Sequence, residues 1–183
     1  HGLKVSVGLE FLQYPDQPWV DRFVDGELSE ADFLREIRWA GGGFHFYRRQ
    51  ILFSRISGGK TVALNAPRAL SGKIARLGLT ALNDREKRFL PPGFSLGNSS
   101  YLERFRLNAG SDHIPEEKMP NYFAAQSLWD DTMAWKAGEH LKQNPQEVLV
   151  IVVGDFHAQY GGGLPDRLRA RGAVRGPVRS RHA

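Results

Sequence analysis

The stretch that decides the fold class is Val-Leu-Val-Ile-Val-Val-Gly-Asp-Phe-His, residues 148–157. It opens with an uninterrupted apolar run of strand length, which is typical of a parallel strand buried on both faces. We therefore predict a central strand over residues 148–153. Gly154 ends the apolar run and opens a glycine-rich loop that we expect to continue to Gly163.

Two further strands are predicted upstream, at residues 3–10 (LKVSVGLE) and 60–64 (KTVAL). Helical patterns separate the three strands, and such alternation predicts βαβ units around a parallel sheet. The expected fold is α/β: a parallel sheet flanked by helices with a small helical subdomain at 83–122, in one domain covering residues 1–183. The main helical patterns cover 44–56, 70–77 and 116–143.

The net charge of +5 does not indicate a nucleic-acid-binding body. Residues 166–183 contain six arginines against one aspartate, while residues 1–165 carry equal numbers of basic and acidic side chains. A nucleic-acid-binding domain usually carries its basic residues on the folded surface. We therefore exclude nucleic acid as a partner and expect residues 172–183 to form a basic, partly disordered tail. The absence of cysteine excludes disulfides and thiolate metal sites.

Polar side chains are predicted at the carboxyl ends of all three strands, the edge where open parallel sheets bind their ligands. For Glu10 the alternatives are a solvated strand end or a helix cap, and for His157 a hydrogen bond to a loop carbonyl. Helical spacing adds two polar residues of the long helix to the same edge. The predicted cleft comprises Glu10, Asn65, Gln126, Asp130, Asp155 and His157.

Tyr160 follows His157 by three residues in the glycine-rich loop. A phenolate is a hard anionic ligand that suits ferric iron, and tyrosine is a known axial ligand of haem. The alternative is a tyrosine that packs against the next helix. The sequence lacks G-x-G-x-x-G, G-x-S-x-G and H-E-x-x-H, so the commonest dinucleotide, serine-hydrolase and zincin sites are not predicted.

Four segments in this order resemble the ChaN-like haem-binding lipoproteins of bacterial iron uptake, and the resemblance spans nearly the whole chain. It implies a parallel sheet flanked by helices, a smaller helical part, and a dimer around haem. It also implies a tyrosine ligand to iron and His or Lys side chains near the haem propionates. The segments are VGLEF (7–11), ALNAPRAL (63–70) with LGL (77–79), AAQSLWDDTMA (124–134) and VVGDFHAQYGGGLPDRL (152–168).

On this resemblance, Tyr160 is the first candidate for the iron ligand, Tyr122 the second and Tyr47 the third. His157 and Lys118 are the candidate propionate partners. The implied location is the cell envelope, with a lipid anchor outside this chain. A second copy of the chain and an outer-membrane haem receptor are the implied protein partners.

Two alternatives remain. ChaN-like proteins are distantly similar to metal-dependent hydrolases such as Tiki-type and erythromycin-esterase-like enzymes, which are marked by G-x-x-H elements and an acid at a strand end. Residues 154–157 form such an element, and its counterpart is expected upstream of residue 1. Glu10 and His157 would then serve as ligand or general base for a divalent metal ion and its water. The second alternative is a binding module without cofactor that contacts acidic surfaces through the arginine tail. We favour a haem-binding protein over an enzyme.

Overall fold

The structure is a computed structural model that describes residues 2–109, 114–159 and 161–172. Its strands are β1 (Val5–Gln13), β2 (Gly58–Asn65) and β3 (Val148–Val152). They run parallel in the order β2-β1-β3. The helices are α1 (Gln17–Val24), α2 (Glu30–Glu36), α3 (Phe44–Leu52), α4 (Ser54–Ser57), α5 (Arg68–Leu77), α6 (Asp84–Lys87), α7 (Ser99–Ala109), α8 (Met119–Gln143), α9 (Asp155–Ala158) and α10 (Leu164–Ala170).

One face of the sheet packs against the helices that follow β1. Val7 and Leu9 point into an aromatic cluster in which the rings of Phe23 and Phe33 stack at 4.4 Å between centroids. Ser29 caps α2, because its hydroxyl accepts a hydrogen bond from the Asp32 amide. Helices α1 to α3 thereby cover β1 and β2.

The long helix α8 lies in the middle of the other face. It is buried over much of its circumference, so it is a core helix rather than an amphipathic surface helix. Met133 and Ala134 pack against Leu64 of β2 and Leu168 of α10. A separate cluster joins α8 to α5 through Leu128 and Ile74. This packing fixes α8 relative to the carboxyl ends of the strands.

The predicted α/β class with a parallel sheet is confirmed, but the predicted central position of the third strand is wrong. In the described sheet β3 pairs with β1 alone, and Val148 and Val150 are 42% and 47% exposed. Apolar β-branched residues indicate a strand, whereas its place in the sheet depends on the crossover connections. The central strand is β1, which comes first in the chain.

Two predicted elements differ locally from those observed. The loop predicted at 154–163 contains the short helix α9, and the helix predicted at 44–56 is interrupted at Phe53. Residues 83–122 carry α6, α7 and the start of α8, and their separate subdomain stays a prediction. Residues 173–183 of the predicted tail lie outside the described ranges. Among the described helices, none has the length and hydropathy needed to cross a bilayer.

Candidate functional site

His157 lies between two carboxylates at the carboxyl ends of the strands. Its Nδ1 is 2.7 Å from Asp130 Oδ1, and its Nε2 is 3.3 Å from Glu10 Oε1. His157 is 5% exposed and Asp130 is fully buried, whereas a quarter of the Glu10 side chain remains exposed. The three side chains form one ion-paired row that runs from the protein interior to the surface at Glu10.

Two neutral side chains complete the row at its buried end. The Tyr101 hydroxyl donates to Asp130 Oδ2 at 2.6 Å and accepts from Gln126 Nε2 at 3.1 Å. The Gln126 amide nitrogen also lies 3.1 Å from His157 Nδ1. Asp130 is therefore hydrogen-bonded through both oxygens, as a buried carboxylate must be.

The row shifts the pKa values of its members. Burial alone would lower the pKa of His157, but hydrogen bonds and charge from Asp130 and Glu10 raise it to about 9. Burial alone would raise the pKa of Glu10, yet His157 and the Gly154 amide hold it below its usual value. Burial and the charge of Asp130 raise the pKa of Tyr101. These shifts favour the imidazolium form of His157, the carboxylate form of Glu10 and the neutral phenol of Tyr101 at neutral pH.

The local sequence explains why these side chains converge. Glu10 lies on β1, and its Oε2 accepts a hydrogen bond of 2.5 Å from the amide of Gly154, directly after β3. His157 follows within α9, one helical turn further on. A Cβ at Gly163 would overlap the carbonyl oxygen of His157, so glycine allows α10 to approach this turn closely.

A cleft of about 630 Å³ opens beside Glu10, a volume within the range of sites for cofactors and small ligands. Most of the wall surface is apolar, and polar side chains contribute the smaller part of it. One of these polar groups is the guanidinium of Arg68, which also donates to the Phe11 carbonyl oxygen at 3.4 Å. The lining residues are Glu10, Phe11, Gln13, Asn65, Arg68, Ser71, Gly72, Ala75, Phe105, Tyr122, Ala125, Gln126 and Trp129.

The predicted cleft residues fall into three groups. Glu10, Asn65 and Gln126 line the cleft, while Asp130 and His157 lie behind Glu10 and do not line it. Asp155 is exposed at the first position of α9.

The residues predicted from the resemblance are dispersed. Tyr122 lines the cleft and is 38% exposed. Lys118 is exposed and donates to the carbonyl oxygen of Arg76 at 3.3 Å, outside the cleft lining. The ring of Tyr47 packs on Phe11 with centroids 4.3 Å apart. Tyr160 lies outside the described residues.

The sequence analysis missed Arg68 and Tyr101. Arg68 follows Pro67 at the start of α5, beyond the carboxyl end of β2. The position of Arg68 after a strand end was a usable signal under the same rule that selected Asn65. Tyr101 comes from α7, 29 residues before Asp130, and no spacing rule connects the two. Its role follows only from tertiary packing.

The row does not fit a divalent metal ion. Both ring nitrogens of His157 lie within 3.3 Å of carboxylate oxygens, so neither faces an open coordination position. Within the part of the chain that the structure describes, no three His, Cys, Asp or Glu side chains are grouped as metal ligands would be. The cleft, by contrast, fits haem, since its lining is mainly apolar and includes a tyrosine and an arginine.

Comparison with known proteins gives two matches. The model of the family described as "Haem-binding uptake, Tiki superfamily, ChaN" matches residues 1–168. A solved structure, described as cofacial heme binding to ChaN of Campylobacter jejuni, superposes with a TM-score of 0.62 at 16% sequence identity. That likeness covers 91% of this chain and 63% of the solved chain, and at this identity it establishes the fold alone. None of the curated proteins compared with the chain matches it significantly.

Proposed function

This chain belongs to the ChaN family of haem-binding uptake proteins in the Tiki superfamily, and we propose that it holds haem in the cleft beside Glu10. The resemblance drawn from four sequence segments is confirmed at the level of the family, and so is haem as the ligand of that family. The placement of haem in this cleft is supported by the cleft itself. The cleft has a mainly apolar surface and a volume of about 630 Å³, and both a tyrosine and an arginine line it.

Tyr122 is the axial ligand in this proposal. Among the described tyrosines it alone lines the cleft, and it is partly exposed. The hydroxyl of Tyr101 is buried on Asp130, and Tyr47 packs behind Phe11. Tyr160 stays the alternative ligand. When bound, haem supplies the iron, while the chain supplies the pocket and the oxygen donor.

Arg68 is the propionate partner that the cleft supplies. Arginine recognises carboxylates through paired N–H groups, and it keeps its charge at any physiological pH. His157 is enclosed by Asp130 and Glu10, and Lys118 caps the last turn of α5. Their predicted contacts with propionates remain to be tested, and Arg68 joins them as the candidate inside the cleft.

A titration with ferric haem tests the placement. We expect a saturable shift of the Soret band, together with the spectrum of high-spin, tyrosinate-ligated iron. Tyr122→Phe should weaken binding by about tenfold or more and alter the spectrum, since even groups that only support a metal ligand contribute roughly 10–100-fold. Arg68→Ala should weaken binding and leave the spectrum unchanged.

Tyr47→Phe is the matched control, because it removes a hydroxyl from a ring that packs outside the cleft lining. A Tyr122→Phe protein with unaltered affinity and spectrum would transfer the ligand role to Tyr160. Absence of saturable binding by the folded wild-type protein would contradict the haem function itself.

The assembly and location belong to the same proposal. We infer a homodimer that holds or relays haem at the cell envelope, anchored there as a lipoprotein, with an outer-membrane haem receptor as a partner. Light scattering with and without haem tests the dimer. Cell fractionation with lipid labelling of the full-length protein tests the location, and a protein found without lipid in the cytoplasm would contradict it.

The Glu10–His157 contact favours hydrolysis as a second candidate function. A carboxylate and an imidazole that meet beside a cleft are residue types from which general acid–base catalysis is built. Mass-spectrometric metal analysis, combined with esterase and peptidase assays of wild type and Glu10→Gln, tests this candidate. Activity that is absent from wild type, or undiminished by Glu10→Gln, would count against it.

A further inference from the structure

Strand β1 departs from regular pairing where it forms a wall of the cleft. Leu9 pairs with Ala63 and Gln13 pairs with Asn65, so residues 10–12 of β1 lie opposite the single residue 64 of β2. A regular strand points successive side chains to opposite faces of the sheet. The irregular segment instead presents neighbouring residues to the same space, as β-bulges do beside functional sites. The side chains that it contributes to the cleft are Glu10, Phe11 and Gln13.

This segment of β1 contacts Arg68 at both the backbone and the side chain. The backbone N–H of Arg68 donates to Gln13 Oε1 at 2.7 Å. The guanidinium donates to the Phe11 carbonyl oxygen at 3.4 Å and lies over the ring of Trp39, 6.0 Å from its centroid. A guanidinium carries several N–H donors, so one long hydrogen bond leaves most of them available to a ligand. Arg68 therefore lines the cleft as a cation that its neighbours orient.

Gln13 satisfies a backbone group of α5 that has no partner within the helix. Arg68 is the first residue of α5, and the N–H groups of a first helical turn find no acceptor inside it. A polar side chain before the helix often satisfies one of these groups, but Pro67 occupies that position. Gln13 supplies an acceptor from β1 instead. Its amide nitrogen donates in turn to Asp16 Oδ2 at 3.2 Å, which holds the amide in this orientation.

We propose that Gln13 is a positioning residue that fixes Arg68 at the cleft, so that the guanidinium recognises a carboxylate of the bound ligand. This inference rests on the proposed haem function, in which the carboxylates are the propionates. Gln13 acts through Arg68 and does not need to contact the ligand. Loss of the Gln13 contact frees the start of α5 and increases the entropy that Arg68 loses on binding, so recognition of the carboxylate weakens.

Ferric protoporphyrin and its dimethyl ester are suitable probes, because they share the ring and the metal and differ in the charge of the propionate groups. Absorbance titration gives a Kd for each, and the ratio of the two Kd values measures the preference for the free acid. We expect wild type to prefer the free acid by about 10–100-fold, the contribution of a hydrogen bond to a charged group. Arg68→Ala should remove most of this preference.

Gln13→Leu removes the acceptor at similar size and should lower the preference by roughly fivefold, the contribution of one neutral hydrogen bond. Gln13→Asn keeps an amide but shortens the side chain by one methylene group, and it should lower the preference in the same direction. In the Arg68→Ala background, Gln13→Leu should cause no further change, because the guanidinium that Gln13 positions is absent.

Gln17→Leu is the matched control. Gln17 Oε1 likewise accepts a hydrogen bond from a backbone N–H, that of Ala63 at 2.7 Å, but Gln17 is not part of the cleft lining. The control removes a comparable contact from the same region of the fold. It should keep the wild-type preference for the free acid.

The outcomes separate this inference from the function on which it rests. A folded wild-type protein that binds neither porphyrin would refute the haem proposal. Equal affinity of wild type for the acid and the ester would leave haem binding intact and overturn the role of Arg68, and that of Gln13 with it. An unchanged preference in Gln13→Leu and Gln13→Asn would overturn the positioning role. An effect of Gln13→Leu that persists in the Arg68→Ala background would also overturn it, since Gln13 would then contact the carboxylate directly.

Discussion

Raising the pH from about 6 to above 9 should destabilise the folded protein through His157. In the folded state, contacts with Asp130 and Glu10 outweigh burial and raise the pKa of His157 to about 9, against 6.5 for an unperturbed histidine. A histidine whose pKa is raised by folding stabilises the folded state when it is protonated. Its contribution is fully present below pH 6.5, declines as the pH rises, and is absent above about pH 9.

The gap between these two pKa values sets the magnitude. At about 1.4 kcal/mol for each unit of pKa, the gap corresponds to about 3 kcal/mol in the free energy of unfolding. That is a large part of the roughly 5–15 kcal/mol that stabilises a typical domain. His157 and Asp130 are almost completely buried, so solvent does little to screen their pairing.

Urea unfolding at a series of pH values between about 6 and 9.5 measures this contribution. The free energy of unfolding of wild type should fall across that window, and the fall should be absent in His157→Gln. His45→Gln, which changes an exposed histidine of α3, should behave as wild type. Wild-type stability that is constant across the window would refute the reasoning, even if the His157 variant does not fold.

Three further predictions concern neighbouring contacts. Tyr101→Phe removes the hydroxyl that donates to Asp130 at 2.6 Å and should lower the free energy of unfolding by roughly 1–3 kcal/mol; an unchanged urea midpoint would contradict this. Gly163→Ala places a Cβ against the His157 carbonyl oxygen and should lower the free energy of unfolding, measured in urea, by roughly 1–3 kcal/mol. Stability equal to that of wild type would show that the turn relaxes to accommodate the methyl group. Burial lowers the pKa of His140, and Glu147 offsets this only in part. As the pH drops below 6.5, the histidine is therefore protonated in the unfolded state before it is protonated in the folded state, and the free energy of unfolding should fall. His140→Gln should remove that component from an acid titration followed by circular dichroism, and an identical acid limb in the variant would disprove the assignment.

The sequence allowed the strands and their common ligand edge to be predicted, because both depend on local pattern and on general rules of parallel sheets. Glu10 and His157 come from opposite ends of the chain, yet the rule for carboxyl ends selected both, and the structure places them 3.3 Å apart. The order of the strands in the sheet could not be predicted from the sequence in the same way. The apolar run of β3 is compatible with either a central or an edge position, and only the crossover connections decide between them.

The contact between Tyr101 and Asp130 at the buried end of the site could not be predicted from the sequence, for a different reason. Tyr101 contacts Asp130 because α7 is carried across the carboxyl ends by a segment with little regular structure. Nothing in the local pattern around residue 101 distinguishes a hydrogen-bonded phenol from a packing residue. Such contacts are determined by tertiary packing, which local propensity does not report.

One helix connects the proposed ligand site to the buried charges. Tyr122, Gln126 and Asp130 are spaced four residues apart on α8 and therefore share one face of it. Tyr122 and Gln126 line the cleft, whereas Asp130 lies in the core. Because packing on both sides holds α8 in place, the tyrosine and the charged cluster are positioned before any ligand arrives. Preorganisation of this kind lowers the entropy cost of binding.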